Sequence, residues 1–356
     1  MTRIEQTDAA IGGNETNPPN LQNKQLADRD KWLHDALAVL GITPTSTTEE
    51  IREVLAGDAD AAATQATTLE LGAASIAQGR LTLASGKPVP SNDIIAASTL
   101  YYTPYNGDLI AIYNTAQSRW EVKSFVERSL DISGLLADTN YDIFLYTNAG
   151  ALTLEAVAWA NSGAGTSARA KSISRLNGIY VKTSDNRRYL GTIRTTSTLG
   201  ECEFSSQKRF VWNAKNRYRF RLLNNFPFNS HTYSGTAWRK VRNLDSYTLH
   251  VVCGLPEFTR VSVKHNAYGD TNVEYFCGIG INSSTVNLAD LTDDPLKGNP
   301  GDGRTVTADF LNFLDAGYHQ IIPLEATGGG GGVATFFGAA GSPALTKLGI
   351  IGDLEL

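Results

Sequence analysis

The stretch YDIFLYTNAGALTLEAVAW, running from Tyr141 to Trp159, decides the fold class. Two runs rich in aromatic, aliphatic and threonine side chains flank Asn148-Ala149-Gly150. Those turn residues suit a tight reversal, so the segment predicts a β-hairpin. The same texture extends both ways. Upstream stand LTLASGKPVP, TLYYTPYNGDLIAIYN and RWEVKSF; downstream stand GIYVK, RRYLGTIRTT, YTLHVVCGL, FTRVSVKHNAY, VEYFCGIGIN, ADFLNFL, YHQIIPLEA, GVATFFGA and LGIIGDLEL. Short strands at this spacing, without intervening helices, argue for antiparallel sandwich or barrel-like domains. Pro104 followed by Asn106-Gly107 predicts a second hairpin between aromatic-rich strands. In Arg217-Tyr-Arg-Phe-Arg-Leu222, a period of two puts Tyr218, Phe220 and Leu222 on one face and Arg217, Arg219 and Arg221 on the other.

Ahead of Gly79 the pattern is helical. The first 23 residues contain AIGGNETNPPNLQN and carry little apolar periodicity, so a partner or framework must order them. Leu26, Trp32, Leu33, Leu37 and Leu40 follow helical spacing up to a stop at Gly41, and Ser46 or Thr47 caps a second helix. Leu55, Ala62, Leu69 and Ile76 then recur every seven residues, with Ala59, Ala66 and Ala73 four places after the first three. That is an a/d seam, which drives helices to supercoil around copies of themselves. Gly57 and Gly72 weaken it, and a single linker helix packed on its own domain is the competing reading.

The 356 residues exceed one ordinary core, so several domains are expected. With 42% hydrophobic residues and a net charge of −5, the chain lacks the composition of a disordered protein. Its longest apolar runs fall far short of the ~18 residues of a membrane span. No basic segment followed by an apolar one opens the chain, so no secretory signal is expected. Cys202, Cys253 and Cys277 form an odd set without metal spacing, in a protein made in a reducing cytoplasm; Cys253 and Cys277, inside apolar runs, read as small hydrophobes. Charge is unevenly spread. Residues 165–245 hold 16 of the 31 basic side chains against 4 of the 36 acidic ones. Trp212, Tyr218, Phe220, Tyr233 and Trp238 lie among them, a pattern compatible with nucleic acid. The acidic segments on either side favour carboxylate pairing instead, since the planar guanidinium forks onto carboxylates.

A search for chemistry finds little. There is no nucleophile elbow, phosphate-binding loop or zinc-protease helix. The five histidines, His34, His231, His250, His265 and His319, have no ligand spacing. Asp290, Asp293, Asp294 and Asp302 form the best candidate calcium loop, but the spacing and terminal Glu of a calcium hand are missing. Glu257, Asp270 and Glu274 are the acids that would serve a glycan depolymerase, if the fold joined two of them across a sugar. No catalytic, cofactor or metal residue is assigned, and no enzyme is expected.

The order RLTLASGKPVP, YYTPYNGDLIAIYN, the 141–159 hairpin, RLNGIYVKTSDNRRYLGTIRTT and KRFVWN resembles a β domain of tailed-bacteriophage tail fibres and other virion appendages. GYHQIIPLEATGGGGG, ATFFG and LGIIGDLEL are similar to the distal sandwich domains of such fibres. The resemblance implies a structural virion protein, a homotrimer, joined to other virion proteins by its N-terminus and projecting β domains toward a host-surface glycan or protein. It transfers no catalytic residue. The implied organisation is mainly β: a 1–54 attachment arm with short helices, a 55–79 oligomerising helix, an 80–205 proximal β domain and a 206–356 distal β-sandwich. Leu55, Ala62, Leu69 and Ile76 would line the oligomer seam; Arg217, Arg219 and Arg221 would pair between subunits or domains. Partner nucleic acid and membrane insertion are not expected. A capsid-mounted fibre, a tail adaptor without receptor role and a depolymerase are the alternatives. The loops 226–240, 282–304 and 327–344, rich in Gly, Asn and Ser, are the candidate receptor contacts.

Overall fold

Hairpin 141–159 forms as its sequence dictates. In the computed structural model, strand Asn140–Asn148 pairs with Ala151–Asn161 from Tyr141 opposite Ala158 to Asn148 opposite Ala151. Ala149 (φ 45°) and Gly150 (φ 84°) make the two-residue turn, whose paired positive φ values match the twist of the flanking strands. The structure describes residues 73–270, 273–293, 296–297, 303–328, 332–340 and 347–356. The expectations for the 1–54 arm and for Leu55, Ala62 and Leu69 lie outside these residues.

The described chain is mainly β, with several sheets and sandwich character. One sheet runs Ile173–Leu176, Ile179–Lys182, Arg188–Arg194, then the 140–161 hairpin and Ala168–Arg169. A second contains Ile94–Ala97, Cys202–Phe204, Lys208–Arg209, Leu249–Cys253, Gly317–Thr327 and Glu274–Ile281. A third orders Arg219–Asn225, Gly349–Glu355, Glu257–Gly269, Arg304–Leu314 and Leu291–Thr292. Lys208–Arg209 and Leu249–Cys253 run parallel; the other ladders named here are antiparallel.

Strand Glu257–Gly269 shows how period two builds the sandwich. Thr259, Val261, Val263, His265 and Ala267 are buried, while Phe258, Arg260 and Lys264 are exposed. Arg219–Asn225 alternates likewise, with Phe220, Leu222 and Asn224 inside and Arg219 and Arg221 outside, as the sequence requires. Cys202, Cys253 and Cys277 are free and buried.

Three expectations meet a different structure. The strands flanking Asn106-Gly107 do not pair with each other: Thr99–Pro104 joins Gly79–Thr82 and Arg128–Asp131, whereas Leu109–Asn114 joins Arg119–Ser124. Gln78 intervenes. Its carbonyl accepts the Tyr105 N–H at 2.8 Å, and its side-chain oxygen accepts the Leu109 N–H at 2.9 Å. The helix expected through 79 has already ended at Ile76. The Ile76 carbonyl accepts the Ala111 N–H at 2.9 Å, Ala77 bridges to Ile110, and Gly79–Thr82 is a strand. Backbone groups committed to a neighbouring strand cannot also close helical turns.

The boundary expected at 205/206 is crossed by ladders. Val211–Asn213 pairs with Arg188–Arg194, and Cys202–Phe204 pairs with both Ile94–Ala97 and Lys208–Arg209. Gly191 sits at the first crossing, where a methyl group would run into the Trp212 carbonyl. Ala73–Leu356 accordingly forms one compact unit, with a hydrophobic cluster reaching from Leu81 to Leu356.

Candidate functional site

The sequence singled out arginines, and their placement comes first. Arg217 pairs with Glu257 and lies 3.9 Å from Glu355. Arg219 pairs with Asp353 on the adjacent strand. Arg221 is exposed, and its carbonyl accepts from the Arg209 guanidinium at 2.8 Å. These pairs join segments far apart in the same chain, all within 206–356. The aromatics of the basic block meet its cations internally as well. Guanidinium carbons lie over rings in Arg239–Tyr233 (3.6 Å), Arg209–Phe204 (4.4 Å) and Arg242–Phe228 (4.9 Å). These rings are therefore engaged with cations of their own chain. Ile76 lies beside the 109–114 strand rather than on a helix.

Of the acids, Glu257 stands apart from the other two. Glu257 opens a 13-residue strand and accepts from Trp212 Nε1 at 3.2 Å; Asp270 follows the strand's far end, roughly 40 Å away at ~3.3 Å per residue. That separation excludes them as a glycosidase pair. Asp270 accepts the Val333 N–H at 3.3 Å, and Glu274 lies in strand Glu274–Ile281. Asp290 accepts the Leu311 N–H at 2.6 Å and Asp293 the Thr307 N–H at 2.7 Å, so both clamp the Arg304–Leu314 strand. Asp294 and Asp302 lie outside the described residues. Among the described residues no group of three or more His, Cys, Asp or Glu is placed to hold a metal ion.

A concave site arises elsewhere, from residues no motif joined. A cleft of about 610 Å³ opens between the 163–167 loop, the end of strand Glu274–Ile281 and the turn linking Arg304–Leu314 to Gly317–Thr327. This volume is in the range of small-ligand sites. Ile281, Leu288, Phe310 and Leu314 supply its apolar lining, and Phe313, 63% exposed, stands at the rim. Ser167 fixes one wall: its hydroxyl accepts the Tyr318 N–H at 3.0 Å and an Asn140 amide N–H at 3.2 Å. Asn282, at φ 58°, fixes another, accepting the Gln320 N–H at 2.9 Å.

His319 is held between them. Its Nε2 donates to the Asp315 carbonyl at 2.8 Å, and its Nδ1 accepts from the Asn282 amide at 3.0 Å. Those partners fix the neutral Nε2–H tautomer. Burial lowers its pKa, against the opposing pull of the Asp315 carbonyl. With both nitrogens engaged, His319 has no lone pair or proton to offer a substrate. Beneath the cleft, Arg194 lies 3.6 Å over the Tyr318 ring, whose hydroxyl meets His250 Nδ1 at 2.8 Å. Burial, followed by the nearby Lys208 and Arg194 charges, pushes His250 down to about 4. The site is thus a rigid polar cleft with an aromatic lip. Asp315 lines it and is exposed. In the sequence, the candidate receptor loop 282–304 already held Asn282, Leu288 and Asp290, and GYHQII held Tyr318 and His319, but nothing joined them to Ser167 or to the turn at Asp315.

No protein-family model and no curated protein matches the chain. Solved structures offer distant likenesses. The Eiger TNF of S. frugiperda matches at 11% identity over 39% of this chain and 92% of that one, with a TM-score of 0.23. The insecticidal delta-endotoxin Cry8Ea1 of Bacillus thuringiensis matches at 8% identity, covering 82% of this chain and 55% of the toxin, TM-score 0.21. A structure of infectious bursal disease virus, Gx strain, matches at 10% identity over 79% and 76%, TM-score 0.22. At these scores the likenesses carry no argument about function.

Proposed function

We propose that this chain is a non-enzymatic structural protein of a tailed-phage particle, a fibre-type appendage whose 1–54 arm attaches to other virion proteins and whose β region adheres to a host-surface glycan. Homotrimeric assembly through the helical seam of Leu55, Ala62 and Leu69, and sandwich domains projecting outward, belong to this reading. It rests on the resemblance carried by residues 80–213 and 317–356. The observation that supports adhesion is the 610 Å³ cleft, because it is concave, polar and aromatic-rimmed, while its histidine is locked neutral with both nitrogens used. Such a site suits reversible binding of a hydroxyl-rich ligand, with Phe313 offering a ring face and Asp315 an acceptor. Three copies on one particle would convert weak single contacts into firm attachment.

Glycan-array binding by the full chain tests the reading. Binding to a defined glycan subset is expected, and Asp315→Ala should weaken it by about tenfold, near 1.4 kcal/mol. New reducing ends released from that glycan would overturn the non-enzymatic assignment. A protein that decorates particles yet binds no host glycan or cell would instead be a capsid-mounted fibre or an adaptor.

A further inference from the structure

Phe313 borders more than one hollow. On its other side lies a second cleft, of about 410 Å³, lined by Arg217, Arg219, Glu257, Phe258 and Glu355 as well as by Phe313 itself. Phe313 therefore divides two neighbouring concavities, each in the size range of small-ligand sites. The strand register lays out the ground between them. Phe258 stands opposite Phe313, with ring centroids 5.5 Å apart and the rings edge to face. Arg260 stands opposite Asp353, which puts Phe258 beside Glu355, and Glu355 stands opposite Arg219. All four members of the row Phe313, Phe258, Glu355 and Arg219 are exposed. The row crosses four strands, about 14 Å at the usual strand spacing. Aromatic rings exposed side by side among polar groups mark a binding surface.

Glu257 is the buried member of the second cleft, its side chain only 6% exposed. Both of its hydrogen-bond donors, Trp212 Nε1 at 3.2 Å and the Arg217 guanidinium, meet Oε2. Oε1 has no hydrogen-bond partner among the described residues. A carboxylate held rigid through one oxygen thus keeps the other as an acceptor. The cleft offers a sugar hydroxyl that fixed acceptor and the guanidinium donors of Arg217 and Arg219, beside two rings. Charge narrows the choice of sugar. Asp290, Asp315, Glu257, Asp353 and Glu355 line the two clefts against Arg217 and Arg219, so an acidic polysaccharide would meet like charge along its length.

We propose that the two clefts are subsites of a single groove that takes an extended, uncharged glycan chain, its sugars laid across the Phe313–Phe258 ridge with one end at Asp315 and the other at Glu257 and Arg219. This rests on the glycan-adhesion reading and narrows it to an internal stretch of several sugars, because one sugar ring cannot reach across four strands. Contacts at linked subsites reinforce one another through effective concentration, so affinity rises with chain length until the groove is filled.

The test uses the full chain and the uncharged glycan that it binds best on the array, cut by partial acid hydrolysis into a size ladder. Isothermal titration calorimetry gives the affinities. The hexasaccharide should bind about tenfold or more tightly than the disaccharide. In Phe258→Ala the ratio of these two affinities should fall toward one, whereas Phe258→Trp, which keeps a ring face, should preserve it. Both affinities come from one protein, so partial unfolding cancels in the ratio. A wild-type ratio near one, or a ratio that Phe258→Ala leaves intact, overturns the groove while the first cleft stands as the adhesion site. Selection of a polyanionic glycan on the array overturns the uncharged occupant and the proposal with it. Failure to bind any glycan overturns both the groove and the adhesion reading.

Discussion

Replacing Asp142 with alanine should cost about 3–5 kcal/mol of stability, the range for stripping one partner from a buried ion pair. Asp142 is 2% exposed in the centre of the hairpin that decides the fold. Arg169 Nε reaches Oδ2 at 2.6 Å and Nη2 reaches Oδ1 at 3.2 Å, while Thr192 Oγ1 donates to Oδ1 at 2.7 Å. Arg169 also stacks 4.4 Å over Trp159 and donates to the Gly254 carbonyl. Without the carboxylate, that guanidinium stays buried among rings with only neutral acceptors. Its contact with Gly254 ties the 163–169 segment to the later half of the chain, so the cleft wall at Ser167 should loosen too. Urea unfolding of Asp142→Ala measures the loss. The double variant Asp142→Leu, Arg169→Met should recover most of it, because no buried charge is left alone. A single-variant loss below about 1 kcal/mol would sink the argument.

Acidification should destabilise the protein through His265. This ring is fully buried, with Phe226 at 5.0 Å and Phe336 at 5.2 Å, and its Nδ1 lies 3.4 Å from the Asn266 carbonyl. Burial lowers its pKa to about 4, with Glu325 opposing and His231 adding to the depression. A base depressed in the folded state stays neutral there while the unfolded chain takes up a proton. Stability from this group is therefore intact above pH 6.5 and falls as the pH drops toward 4. The shift corresponds to about 3 kcal/mol over that window. His250, also lowered to about 4, acts in the same direction. Unfolding at pH 7, 5.5 and 4.5 should show a steeper loss for the wild type than for His265→Phe, which fills the aromatic nest without a titrating group. Equal slopes would show that the imidazole is not the acid-sensitive element.

The same residues illustrate how much was legible. Hairpin 141–159 and the alternation of Arg219–Asn225 could be read because turn chemistry and period two are local properties. The Asn106-Gly107 hairpin could not, although its turn residues were equally clear. Gln78, nearly thirty residues away, captures the amides that the hairpin ladder would have used. The spare charge of the basic block was visible as a composition, yet its partners Glu257, Glu325 and Asp353 lie 40, 86 and 134 residues from their arginines.

By itself, then, the sequence determined the β class, several strand faces, the buried Cys253 and Cys277 and the cation–aromatic richness of residues 165–245. Each follows from the neighbours of a residue within a few positions, where sterics and side-chain alternation act. Only the tertiary structure decided that strands on both sides of 205 share sheets, and that Ser167, Asn282 and His319 enclose one cleft. These depend on which distant strands win the backbone hydrogen bonds. That competition is settled by burial of the whole core, which no local stretch of sequence encodes.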